Sequence, residues 1–251
     1  MKTDAIVLAG SPNQGRLREC SPVANEALIP IGNRFMVEYV VTALLNSQSI
    51  EQIVIVGPVD ELLPIYCGQP RVILTEAGKT VLESLQNGVA KLQTPGHVLI
   101  ATCDIPLLKA EAVDAFLDKC GDLEADLYYP IVSKEINEKY YPGVKRTYVT
   151  FKEGTFTGGN LFLFNLEVLP RCAAKGEELV KLRKSPLALS KQIGFLFIVK
   201  FLCKLLTLKE TEMRFSQLLG LKGKAVILEY PEVGIDVDKP SDLELARKVL
   251  A

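Results

Sequence analysis

Short, almost wholly apolar runs recur along the first half of the chain. Ala5–Leu8, Ile53–Val56, Val72–Leu74, Val98–Ala101 and Leu127–Pro130 are each followed by a loop and, in most cases, by a stretch with helical spacing. A strand that is apolar on both faces must be covered on both, the condition of a parallel sheet lying between layers of helices. Phe35–Leu45 carries apolar residues at helical spacing. Thr80-Val81-Leu82-Glu83 is a capping box that opens a helix running to about Lys91, and Ala110–Leu117 reads as another helix. The alternation predicts an α/β fold with a mostly parallel central sheet and right-handed crossovers. Ligands on such sheets bind beyond the carboxyl ends of the strands. The loops at Gly10, Gly57, Thr75 and Asp104 are therefore expected to open on one side.

The rhythm changes after Tyr141. "KRTYVTFKEGTFTGGNLFLF" alternates in strand fashion around Gly154 and the Gly158–Gly159 pair, which predicts antiparallel strands and a hairpin. Glu167 to Leu219 has a helical pattern rich in Leu and Lys, and Ala225–Glu229 is a late strand. Pro240 and the capping box Ser241-Asp242-Leu243-Glu244 open a C-terminal helix. No repeat or low-complexity linker divides the chain. One domain over residues 1–251 is expected, with a helical subdomain inserted at 166–222.

Composition narrows the classes. A formal net charge of −1 gives no global reason to expect nucleic acid or an anionic membrane as partner. The six cysteines form no C-x-x-C pair, so they read as reduced thiols in a cytoplasmic protein rather than staples or zinc ligands. Asp4 interrupts any signal-peptide core. The single histidine, His97, reads as structural, which argues against a Ser–His–Asp triad.

Two familiar phosphate loops are excluded. Pro12 stands where a dinucleotide-binding G-x-G-x-x-G would need its second glycine, and Ile73 stands where a P-loop ending in Gly78-Lys79-Thr80 would need its first. "VLIATCDIPLL" places Asp104 at the carboxyl end of an apolar strand. An acid there suits a hard cation such as Mg²⁺, or a helix N-cap. "GIDVDKPSDL" sets Asp236 and Asp238 two residues apart, on one side of an extended backbone, where one of them can join Asp104 on a metal or simply lead into the helix.

"IVLAGSPNQGRLRE…ALIPIGNRFMVEYVVTAL", "CDIPLL" and "GIDVDKPSDLELA" occur in the order seen in MobA-like nucleotidyltransferases, a group resembled over about residues 4–165 and 224–250. The resemblance implies a Rossmann-like GT-A sandwich. It also implies a Mg²⁺-dependent reaction in which a phosphorylated small-molecule acceptor attacks the α-phosphate of a nucleoside triphosphate and pyrophosphate leaves. Leu8, Ala9 and Gly10 would offer backbone to base and ribose, Gly15 and Arg16 would lie under the triphosphate, and Ser84 would help hold the nucleotide. Asp104 and Asp236 would bind the metal. Thr157-Gly158-Gly159-Asn160 resembles an acceptor-binding turn.

Two positions depart from the family pattern. Ser11 replaces the second glycine of L-A-G-G, and Asn25-Glu26-Ala27-Leu28 replaces a Pro-Lys-x-Leu motif whose lysine neutralises the α-phosphate. Either Glu26 turns away and Arg16, Arg18 or Lys79 supplies the charge, or the triphosphate no longer binds there. Three functions therefore stay open: an active nucleotidyltransferase, a non-catalytic nucleotide or sugar-phosphate binding protein, and a GT-A glycosyltransferase. Ile193–Leu206 is the most apolar stretch, but at fourteen residues it falls short of the roughly twenty of a membrane span. Lys200 and Lys204 are expected to share one face of an amphipathic helix that packs beside Thr157–Asn160 on the acceptor side, or mediates a homodimer. Lys181, Arg183 and Lys184, just before it, are expected near an acceptor phosphate.

Overall fold

A computed structural model describes residues 2–93, 96–173, 175 and 194–250. The first apolar run forms β1 (Thr3–Leu8), and β4 (Ile50–Val56), β5 (Val72–Thr75) and β6 (His97–Thr102) lie parallel to it in the order β5-β4-β1-β6. Ala5, Ile6 and Val7 are all fully buried because the sheet is covered on both faces. Ala5 and Val7 face α1 (Met36–Asn46) and α4 (Ala110–Cys120) through Val37, Val40, Leu44 and Phe116. Ile6 points the other way, toward α3 (Val81–Val89), where a Cβ on Gly88 would lie 2.9 Å from the Ile6 side chain. Successive side chains thus serve two separate cores, as the pleat requires. Thr80 caps α3 by accepting from the Glu83 N–H.

The far half of the sheet is mixed. β7 (Leu127–Ser133) is parallel to β11 (Gly223–Leu228), but β10 (Leu161–Asn165) runs antiparallel between β6 and β7. The hairpin is the pair β8 (Val149–Phe151) and β9 (Gly154–Gly158), turned at its Gly154 end. No hairpin forms at Gly158–Gly159: β9 pairs with the end of β7 and β10 with its start, so the glycine pair carries the chain from one register to the other. With β2 (Pro30–Ile31) and β3 (Arg34–Phe35) as a separate two-stranded ribbon, the main sheet has nine strands.

Two short helices lie outside the sequence expectation. α2 (Val59–Tyr66) holds Pro64 in its interior, which argues against a helix on sequence alone. α5 (Lys134–Tyr140) is only seven residues long and is capped by Ser133. Among the described residues of 166–222, α6 (Phe195–Leu202) and α7 (Leu208–Leu219) are joined by the Lys200–Glu210 ion pair. α6 ends at Leu202 and Lys204 has a positive φ of 56°, so the two lysines expected on one helical face do not share a helix. The Lys152 N–H donates to Leu206 and the Glu153 carboxylate accepts from the Leu208 N–H, which ties this segment to the tip of the β8–β9 hairpin. Lys181, Arg183, Lys184 and Ile193 lie outside the described residues. No described helix is long and apolar enough to cross a membrane. His97 is structural: its Nε2 is 2.8 Å from the Ala125 carbonyl oxygen.

The last helix, α8 (Pro240–Leu250), is held to the N-terminal loop by a third core of Leu17, Ile29, Ile31, Met36, Val237, Leu243 and Ala246. This packing brings the two ends of the chain together at the carboxyl edge of the sheet.

The β1 and β4 exits approach each other closely, and glycine makes that approach possible. A Cβ on Gly57 would lie 2.7 Å from the Ala9 carbonyl oxygen and 2.9 Å from its Cβ. Gly57→Ala is expected to cost about 1–3 kcal/mol and lower Tm by several degrees, since neither strand can retreat. An unchanged thermal melt would show that the exits yield.

Candidate active site

The loops after β1, β5 and β6 surround a cleft of about 310 Å³. Leu8, Gly10, Ser11 and Pro12 form one wall, Gly78–Val81 and Ser84 a second, and Thr102–Asp104 the floor. Glycine is required at two of these positions. A Cβ on Gly10 would meet the Ala77 side chain at 2.4 Å, and one on Gly78 would sit 2.8 Å from the Glu83 and Ser84 backbone. Ser84 is buried, and its Oγ accepts from the Gly78 N–H at 3.0 Å. The Glu83 carboxylate accepts from the Lys79 N–H at 2.6 Å. The second wall is thereby fastened to the first turn of α3, whose N-terminus opens on the cleft and suits an anion.

The residues named from the sequence fall in different places. Leu8, Gly10, Ser84 and Asp104 line this cleft. Ala9, between two of them, is fully buried, and its N–H is committed to the Val56 carbonyl at 2.8 Å. Gly15 has nothing within 4 Å of where a Cβ would stand. Arg16 lines a second cleft of about 760 Å³, which it shares with Lys145, Lys239 and Lys248. Arg18 is spent on the Pro22 and Val23 carbonyls. Lys79 lines the first cleft, and so does Glu26.

Thr157-Gly158-Gly159-Asn160 forms a buttress behind Asp104. A Cβ on Gly158 would collide with the Tyr129 hydroxyl at 1.7 Å, and one on Gly159 would press on Pro130 at 2.9 Å and Val233 at 3.1 Å. Thr157 is buried, the Asn160 N–H donates to Val233, and the Asn160 carbonyl accepts from the Thr102 N–H at 3.1 Å. The Thr102 hydroxyl in turn donates to the Asp104 carboxylate.

Asp104, Asp236 and Asp238 form the chemical centre, each presenting one oxygen within 4.8 Å of the others. The Val237 N–H donates to the Asp104 carbonyl at 2.8 Å, which stitches the C-terminal strap to the β6 exit and sets Asp236 and Asp238 on either side. Burial raises the Asp104 carboxyl to about 7, with the charges of Asp236 and Asp238 adding and the Thr102 hydroxyl opposing. Asp238, at the exposed rim, rises to about 6 through desolvation and the neighbouring Asp236, and Glu26 adds to the repulsion. Three hard carboxylate oxygens so close together fit a divalent cation of the Mg²⁺ type. The guanidinium of Arg146 sits on the Asp236 carboxylate. The sequence offers one of Asp236 and Asp238 as a partner for Asp104 where the structure brings both, and it does not mark Arg146. Asp238 had a signal in its spacing from Asp236, whereas Arg146 stands in "PGVKRTY" with nothing local to mark it.

The raised Asp104 pKa has a stability consequence with a definite sign. Between about 4 and 7 the folded protein holds a proton that the unfolded chain has released, so in chelator stability falls as pH rises through that window. Asp104→Asn is expected to raise Tm by a few degrees at pH 8 in chelator and to change it little at pH 3.5. Added Mg²⁺ is expected to stabilise the parent and not the variant. A variant that melts below the parent at pH 8, or is equally stabilised by Mg²⁺, would contradict this account.

The description MobA-like NTP transferase domain matches residues 5–191. Among solved structures, a hypothetical transferase from Thermus thermophilus is 40% identical with a TM-score of 0.85, over 97% of this chain and 100% of that one. A CMP:2-keto-3-deoxy-manno-octonic acid synthetase complexed with CTP has a TM-score of 0.62 at 12% identity, covering 100% of this chain and 98% of its own. The 4-diphosphocytidyl-2C-methyl-D-erythritol synthase of Anaerococcus prevotii has a TM-score of 0.60 at 13% identity, over 99% and 96% of the two chains, and like the synthetase it shares the fold. No curated protein matches. With the cleft, the acids at the strand ends and a match over most of its length, the chain belongs to the MobA-like NTP transferase family, a family of nucleotidyltransferases.

Proposed function

We propose that the protein transfers a nucleoside monophosphate from a nucleoside triphosphate to a phosphorylated small-molecule acceptor, with Mg²⁺ held by Asp104, Asp236 and Asp238. The observation that carries this reading is the opening of the glycine-walled cleft directly onto the carboxylate cluster through Asp104, a member of both. Leu8, Gly10 and Ser84 border the nucleotide, and Lys79 and the N-terminus of α3 face its phosphates. Bound Mg²⁺ supplies charge neutralisation and polarisation at the α-phosphate. An acceptor phosphate oxygen forms the new bond to the α-phosphorus, the bond to the bridging oxygen breaks, and pyrophosphate leaves with that electron pair. The second cleft, with Arg16, Lys145, Lys239 and Lys248, faces an anionic acceptor. Asp242 and Glu244 in the same wall restrain its net charge.

Glu26 favours a second reading, a protein that binds nucleotide without turning it over. It lines the nucleotide cleft, and its charge adds to the burial that raises both Cys103 and Asp238. An acid facing a triphosphate weakens binding by about 1 kcal/mol or more at surface-like dielectric.

A thermal-shift screen over the four nucleoside triphosphates, with and without Mg²⁺, identifies the base. Pyrophosphate release in the presence of candidate sugar phosphates then separates the two readings. Asp236→Asn is expected to lower turnover by about 10²–10³, the scale of losing a group that stabilises transition-state charge. Glu26→Lys is expected to tighten triphosphate binding several-fold in chelator. Pyrophosphate release by Asp236→Asn at the parental rate removes Asp236 from the reaction. Nucleotide binding without release under any acceptor supports the binding protein.

A further inference from the structure

We propose that Arg146 is a phosphate-binding residue of this site, parked on Asp236 until a divalent cation takes that carboxylate over. This inference rests on the nucleotidyl-transfer reading above. Four observations lead to it.

The first is the ion pair itself. Arg146 and Asp236 have side chains only 13% and 17% exposed, and the carboxylate they share is one of the three oxygens grouped for a cation. Arg146 holds Oδ1 of Asp236, and a divalent ion that takes this oxygen displaces the guanidinium. Second, the Nε of Arg146 is buried and has no hydrogen-bond partner among the described residues. A buried donor without an acceptor is costly, and a guanidinium so placed has unspent capacity for an oxyanion. The third observation is the charge balance of the cleft. Glu26 and Asp104 both line the cleft, and Asp104 is grouped with Asp236 and Asp238. Lys79 is the one cation among the described residues that line the cleft, and Glu26 lines it too. A triphosphate entering here needs a further positive group.

Position is the fourth. Arg146 belongs to the stretch between α5 and β8, where Gly143 takes a positive φ of 82° and no regular element fixes the chain from 143 to 148. Its neighbour Lys145 lines the second cleft, while its partner Asp236 lies beside Asp104 on the floor of the first. Arg146 is thus tied by chain to a residue of the second cleft and by its ion pair to the carboxylate cluster that Asp104 shares with the first. Released from Asp236, its planar fork can meet two phosphate oxygens at once, which a lysine at position 26 could not. No covalent bond changes in the exchange: one ion pair is traded for another as the metal arrives.

The exchange is a competition, so removing Arg146 must move metal affinity and phosphate affinity in opposite directions. Two probes read these separately: Mn²⁺ alone by electron paramagnetic resonance, and Mg²⁺–tripolyphosphate by calorimetry, which needs no knowledge of the base. Arg146→Gln is expected to bind Mn²⁺ about tenfold tighter than the parent. It is also expected to bind Mg²⁺–tripolyphosphate about tenfold more weakly. Arg146→Lys should fall between parent and Arg146→Gln on both. A merely structural role would weaken both ligands in Arg146→Gln, and that result overturns the proposal, as does an unchanged affinity for either probe. If Arg146→Gln loses its fold by circular dichroism, Arg146→Lys decides by the same criteria. A parent that binds neither probe overturns the nucleotidyl-transfer reading and this inference with it. A parent that binds both while the variants match it leaves the reading standing and sinks only the inference.

Discussion

Like charges do not gather in a protein interior unless the backbone around them is fixed by other forces. Three carboxylate oxygens within 4.8 Å, with burial raising the Asp104 carboxyl to about 7, form a locally unfavourable arrangement. They persist because two independent packing systems bring them there. Asp104 follows β6, whose neighbours in the sheet are fully buried on both faces. Asp236 and Asp238 ride on a strap anchored at Val237 and Leu243 in the third core and stitched to Asp104 by one backbone hydrogen bond. The repulsion is the stored capacity of the site: a cation relieves it, and Arg146 is the group that relieves it in the protein alone.

The charge layout explains why an acid at position 26 does not by itself argue against chemistry. Lys79 on the cleft wall and Arg146 on the carboxylate cluster supply positive charge from separate segments of the chain. Position 26 lies at the start of a short 3-10 turn capped by Asn25, and the Glu26 N–H donates to Ser11. The loop geometry is thus kept, and only the sign at its tip is changed. Lys79 lines the same cleft on a turn fastened to α3, and Arg146 is paired with Asp236. What sets the balance is the total field on the phosphates, a sum that no single motif position determines.

The parts of this structure legible in the sequence are those governed by local period and by capping. Ala5–Leu8 reads as a doubly buried strand because every residue is apolar, and Thr80 reads as a helix start because Glu83 follows at the right distance. Asp104 is legible as a site because an acid at the end of such a strand has few structural reasons to be there. What stays hidden depends on pairing between distant segments. β10 inserts between β6 and β7 with an alternation that fits any antiparallel neighbour, so its place in the sheet is not written in its own residues. The glycines at 158 and 159 look like a ligand-binding turn, yet both are required by Tyr129, Pro130 and Val233, side chains contributed by β7 and the 231–234 turn. Arg146 is the extreme case: its meaning comes wholly from Asp236, ninety positions away.

The reaction centre is also divided along the chain in a way that couples its halves. The third core includes Leu17 and Ile29, which flank the loop that walls the nucleotide cleft, together with Val237, which sits between the two C-terminal acids. One patch of apolar contact therefore sets both the loop and the cation site. Leu243 and Ala246 of α8 belong to the same apolar cluster as Leu17 and Ile29. The loop that walls the cleft and the strap that carries Asp236 and Asp238 therefore share one apolar support. The sheet supplies rigidity, the strap supplies two of the three acids, and the apolar contact between strap and loop fixes the acids relative to the cleft wall.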